Sequence, residues 1–333
     1  MRAATVFALR VLVLTLLLVV VFMIASNVAG LAKALPPSIQ AASHSTIQAA
    51  ATQTTSSNPS AQAAAIRAAQ MQQAAALLPP LLVYTLLVSL VMAWIIQRSR
   101  WRGWKLTAAL VFTFYGVMTV TSQVETVVYL RQKMSPRLIE SLFVMGGIVA
   151  ILYVPLAVLI MRKMRQSSDQ LHTERALPLA NLAARFCVLA IVYVALYYLF
   201  GYYVAWQNPE LRQYYSGSTE LVSFYQTVHA VVTATPWMLP VQFGRGLLWV
   251  LFAYPVVKML NSGRIETAGI IAALFGVGSF VLFIPNPLMP PSIAHSHFWE
   301  TLGEDLILGA VVGWVLAPSV SPTLSRQTQP AVS

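Results

Sequence analysis

Residues 285–314 read PNPLMPPSIAHSHFWETLGEDLILGAVVGW. Proline fixes φ and has no N–H to donate, so PNPLMPP predicts a loop that stops one helix and launches another. The launched helix carries His297, Glu300, Glu304 and Asp305 and then runs apolar to Trp314. A charge inside a bilayer costs several kcal/mol unless it is paired or wetted. Acids leading into such a run therefore either exclude a membrane span or mark the place where a span works.

The surrounding composition decides for the span. The chain has 333 residues, 58% of them hydrophobic and only 9% charged. Soluble domains carry about a quarter charged residues, so this is a membrane composition. Apolar runs of spanning length fall at 11–31, 81–97, 106–128, 138–161, 180–204, 239–260, 268–284 and 301–317. The expected fold is an all-α polytopic transmembrane helix bundle of eight spans. Pro155, Pro236 and Pro240 predict kinks or breaks.

The runs divide the chain. Residues 1–32 read as an N-terminal anchor span. A signal peptide is the competing reading, because Ala32-Lys33-Ala34 has the form of a cleavage site. Residues 33–78 are rich in Ala, Ser, Thr and Gln and predict an extracytoplasmic loop, disordered at first. Asn58-Pro59 is a good helix start, so a short helix is expected from there to a break at Pro79-Pro80. Residues 79–318 form a seven-span membrane domain, and 319–333 a disordered cytoplasmic tail. Within 221–234, Leu221, Tyr225, Val228 and Val232 recur at helical spacing and predict an amphipathic helix lying on the outer surface.

Basic residues set the orientation. With the N-terminus inside, fourteen of them fall on the inner side, among them Arg98, Arg100, Arg102, Lys105, Arg162 and Lys163. Six fall outside, and Arg245 lies within a span. That is a positive-inside bias with both termini cytoplasmic. Only three acids fall inside, so the inner side carries the whole net charge of +11. This charge faces the anionic lipid of a bilayer and calls for no nucleic-acid partner. Short loops and this bias suit a bacterial inner membrane. Trp94, Trp101 and Trp104 then sit at one interface. Tyr197, Tyr198, Tyr202, Tyr203, Trp206, Tyr214 and Tyr215 sit at the other, as anchoring aromatic belts. Cys187, the single cysteine, reads as a small buried hydrophobe.

The embedded polar residues gather toward the outer half. Ser122, Glu125 and Tyr129 share a helix face, and Gln123 points a quarter-turn away. Gln242 and Arg245 lie one turn apart. His297, Glu300 and Glu304 share a face, while Asp305 aligns with Gly309 and Gly313. Three readings follow. The plain structural one pairs Arg245 with Glu125, Glu304 or Asp305, with acids in the first turn of the last span suiting its dipole. The second makes Glu125, Gln123, Gln242, Arg245, Glu300, Glu304 and Asp305 an outward-facing polar cavity that handles a proton, a cation or a small solute. The third makes His297, Glu300 and Glu304, completed by His229, His295 or Glu125, the ligands of a zinc or iron centre in a membrane-embedded enzyme. A non-catalytic assembly subunit is a further class. HExxH, CxxC, G-x-S-x-G, P-loop and dinucleotide fingerprints are all missing from the sequence. Ala272 and Gly276, like Gly309 and Gly313, have the spacing of close helix contacts.

Overall fold

The structure is a computed structural model that describes residues 2–41, 45, 59–131, 134–165 and 178–318. The tail at 319–333 and most of the low-complexity stretch lie outside the described residues. The helices are α1 (Arg2–Val28), α2 (Leu31–Ala34), α3 (Pro59–Arg98), α4 (Gly103–Tyr115), α5 (Thr121–Tyr129), α6 (Pro136–Ile160), α7 (Leu179–Tyr203), α8 (Pro209–Ser216), α9 (Phe224–Ala234), α10 (Met238–Met259), α11 (Arg264–Gly276) and α12 (Pro291–Leu316). A π-helical turn, Gly116–Val120, joins α4 to α5, and a 3-10 segment, Val277–Phe283, prolongs α11. The fold is all-helical. Among the described residues the only β pairing is an isolated bridge between Ser99 and Leu260.

Six helical segments are long and apolar enough to cross a membrane: Ala4–Val28, Ala63–Arg98, Gly103–Tyr129, Pro136–Ile160, Leu179–Gln207 and Arg264–Phe283. Their exposed residues are themselves apolar, such as Leu9, Leu12, Leu16 and Val20 on α1 and Val188 and Ile191 on α7. In water such a surface would aggregate, so the chain fits an integral membrane protein. The two other expected stretches, in α10 and α12, are helical but fall outside that set. They carry the buried polar residues Gln242, Arg245, Glu300, Glu304 and Asp305.

Packing follows the sequence periods. On α1, Val11, Leu14, Leu18, Val21 and Ala25 are buried at alternating spacings of three and four, which makes one seam against α3 and α6. Helices α11 and α12 pack closely against each other. A Cβ on Gly309 or Gly313 would come within 2.6 Å of the Cα of Ala272 or Ala268. Small residues let backbones approach this closely, and lipid favours such contacts. On α10, Gly246 meets Ala190 of α7 in the same way. At the Arg98 end of the bundle, Arg98 pairs with Glu266 at 2.6 Å, and Lys163 donates to the Ser99 carbonyl at 2.7 Å. These contacts tie the ends of α3, α6 and α11 together.

Three local expectations need correction. The Pro79-Pro80 break does not occur, and α3 runs unbroken through both prolines. Each proline removes one hydrogen bond, but its fixed φ is a helical φ, so a helix can absorb the pair. The last helix starts at Pro291, so Glu300, Glu304 and Asp305 lie turns inside it. The N-terminal dipole therefore does not stabilise them, because its effect fades within the first turn. Cys187 is exposed on α7 instead of buried. The predicted amphipathic helix is present as α9. Ser223 and Gln226 form its capping box, and none of its residues is buried.

Candidate functional site

Arg245 is the centre of the site. It is 5% exposed and comes from the middle of α10. Its Nη2 donates to Glu125 Oε2 at 2.9 Å and its Nη1 to Gln242 Oε1 at 2.9 Å. The fully buried Gln242 uses its other end to donate to the Tyr129 hydroxyl at 2.5 Å, and Tyr193 OH donates to its Oε1 at 3.3 Å. The guanidinium also lies over the rings of Tyr193 and Tyr197, at 5.6 and 5.7 Å. A planar cation that serves a carboxylate, an amide and two aromatic faces at once is a use peculiar to arginine. The arrangement follows from helix geometry. Gln242 and Arg245 share a face at i, i+3, and Glu125 and Tyr129 share one at i, i+4.

Three more acids border this centre from α12. Glu300, Glu304 and Asp305 are all buried. Glu304 and Asp305 lie within electrostatic range of each other, of Arg245 and of Glu125. Asp305 thus joins the group that the spacing set it apart from. The Ser279 hydroxyl, from the 3-10 segment, is buried beside Asp305. Three carboxyls, those of Glu125, Glu304 and Asp305, therefore lie within electrostatic range of one guanidinium, and Glu300 lies within range of the last two. Ion-pair distance to that guanidinium is reached by Glu125 alone among them.

His297 lies one turn before this group. Its Nδ1 meets Glu300 Oε2 at 2.6 Å, and its Nε2 meets the Tyr215 hydroxyl at 3.0 Å. The ring is mostly buried, which opposes charging, but the hydrogen bond and charge of Glu300 outweigh this and raise its pKa above 6.5. Tyr215 belongs to α8, which is fixed to α12. Asn208 caps α8 and donates to the Ser292 carbonyl and to Ser296 Oγ, and Ser292 Oγ donates to Glu210. Burial pushes the Tyr215 hydroxyl well above its ordinary pKa, so it stays a neutral donor.

The remaining candidates lie apart. Among the described residues the Gln123 side chain bonds only to neighbouring Ser122. His295 accepts from Trp299 Nε1 at 3.2 Å on the exposed side of α12. His229 packs beside Tyr225 on α9. Among the described residues no three of His, Cys, Asp or Glu are arranged to hold a metal ion. Two concavities, of 310 and 470 Å³, are lined by Ile191, Val194, Leu239, Pro240 and Phe243, and by Pro209, Glu210, Gln213, Tyr214, Thr219, Pro290 and Ile293. Neither includes an acid of the buried group. Sequence reasoning placed Tyr197 and Tyr215 in an anchoring belt and did not single out Tyr193 or Ser279. The spacing of Tyr193 and Tyr197, four apart, was the one available signal. Comparison of the chain with protein-family models, with curated proteins and with solved structures finds no match.

Proposed function

We propose that the chain is an eight-span membrane protein, with both termini inside, that takes up and releases protons on Glu304 and Asp305 in handling a small solute or ion. The inner side carries the basic surplus and meets anionic lipid. The Arg245 group lies in the outer half, with α8 and α9 resting on the outer surface. One observation carries the reading: four carboxyls, three of them buried, are gathered with a single guanidinium. Arg245 neutralises Glu125. Charging both Glu304 and Asp305 would then leave two adjacent, uncompensated anions at low dielectric, a state many kcal/mol above the neutral one. Such a pair is held neutral by protons, and a pair that can gain and lose protons is what proton-coupled membrane proteins use.

Infrared spectroscopy of the reconstituted protein tests this. At neutral pH the wild type is expected to show the C=O stretch of protonated carboxylic acid, and Glu304→Gln with Asp305→Asn to remove it. A spectrum without that band would sink the proposal.

A further inference from the structure

His297 has a hydrogen-bond partner on each ring nitrogen, and the two partners lead in opposite directions. On one side is the Tyr215 hydroxyl, on a half-buried surface helix. On the other is Glu300, one helical turn from Glu304. The local construction holds this line in place. Trp206 stacks on the Tyr215 ring at 6.3 Å with 26° between planes. Arg212, itself buried, donates to the Thr219 carbonyl at 2.8 Å and to the Trp206 carbonyl, which closes the loop around Tyr215. Gly201 of α7 stands where a Cβ would press on Glu300 Oε1 at 3.3 Å, so the backbone there leaves the carboxyl room. The other titratable groups acting on His297 and Tyr215 are Glu125 from α5 and Tyr214 from α8.

We infer that Tyr215, His297 and Glu300 form the path by which a proton passes between the outer surface and the Glu304–Asp305 pair, a role that rests on the proton-binding reading above. Take His297 in the tautomer with its proton on Nδ1. A proton from water arrives at the Tyr215 oxygen as Tyr215 passes its own to Nε2. The Nδ1 proton then moves to Glu300 Oε2, and from there along the turn to Glu304. One proton enters and one reaches the carboxyl, and no other bond changes. The ring is left with its proton on Nε2, and the reverse passage, from Glu300 to Nδ1 while Nε2 gives its proton to the Tyr215 oxygen and Tyr215 releases its own to water, carries a proton outward and restores the first tautomer. Tyr215 remains a phenol throughout, as its burial requires.

The test follows the protonated-carboxyl infrared band after transfer of reconstituted protein into D2O. In the wild type the band should shift promptly as deuterium replaces the proton. His297→Gln should keep the part of the band that Glu304→Gln with Asp305→Asn removes and slow its shift about a hundredfold, the order of effect of losing a positioned proton carrier. Tyr215→Phe keeps the ring and its stacking and should slow the shift as well, which covers the case in which His297→Gln does not fold. A wild-type rate in Tyr215→Phe and in folded His297→Gln would overturn the path while leaving the acid pair standing. A wild type without the band would instead remove the acid pair itself.

Discussion

Arg245 Nη2 lies 2.9 Å from Glu125 Oε2, across the contact between α10 and α5. The two ends differ in setting, since Arg245 is 5% exposed and Glu125 41%. Removing the buried partner should therefore hurt more. Arg245→Met is expected to lower stability in detergent by about 3 kcal/mol or more, as for a broken buried pair. Glu125→Gln should lower it by about 1 kcal/mol, because the amide still accepts a hydrogen bond and Arg245 keeps Gln242 and two tyrosine rings. In the double variant the losses should not add. Thermal unfolding read by tryptophan fluorescence gives all three values, and a larger loss for Glu125→Gln than for Arg245→Met would contradict the geometry.

Glycine contacts between α11 and α12 give a cleaner pair of predictions. Gly309→Val forces a side chain against the backbone of Ala272 and should cost about 2–3 kcal/mol. Gly244→Ala meets nothing within 4 Å and sits inside α10, so it should be neutral or stabilise by about 0.5 kcal/mol. Melting temperatures should move in opposite directions or differ clearly in size.

His297 predicts a pH dependence. Its folded pKa lies above the ordinary 6.5, so its contribution is complete below that value and is lost as pH rises through the folded pKa. Thermal stability of the wild type should decline from about pH 6.5 upward, and His297→Gln should flatten that slope. An equal slope in the variant would assign the pH dependence to other groups.

Orientation can be read directly. With Cys187→Ala as background, a cysteine at Glu220, in the exposed loop between α8 and α9, should react with impermeant maleimide added outside intact cells. A cysteine at Asn261, beside the Arg98 end, should react only after the membrane is opened. The reverse pattern would invert the proposed topology.

Much of this architecture is legible in the residues. Apolar runs mark the long helices because lipid demands length and hydrophobicity and little else. The partner of Arg245 is narrowed to three acids by the cost of an unpaired cation, and the structure selects Glu125. The 309/313 spacing announces a close contact, since only small residues permit it. Other features depend on the third dimension. Asp305 points away from Glu304 on a helical wheel, yet the crowding of α5, α7, α10 and α12 draws both into one electrostatic group. Tyr215 looks like one more interfacial aromatic until α8 folds back on α12 and aims its hydroxyl at His297. Pro79 and Pro80 resemble a stop signal because propensity records the lost hydrogen bonds and not the helical φ that both rings already hold.

The π turn at Gly116–Val120 has a consequence for how the chain tolerates change. It lies where Thr113 donates to the Phe252 carbonyl at 2.7 Å and Gly116 faces the Phe252 ring. A π turn accommodates about one residue more than an α turn does. An uninterrupted α-helix of the same sequence would swing everything beyond Val120 by about 100°, carrying Glu125 off the side that meets Arg245. Shortening the chain by Met118 alone should therefore be absorbed quietly, whereas the same deletion at Ala108 would unship the carboxylate from its cation.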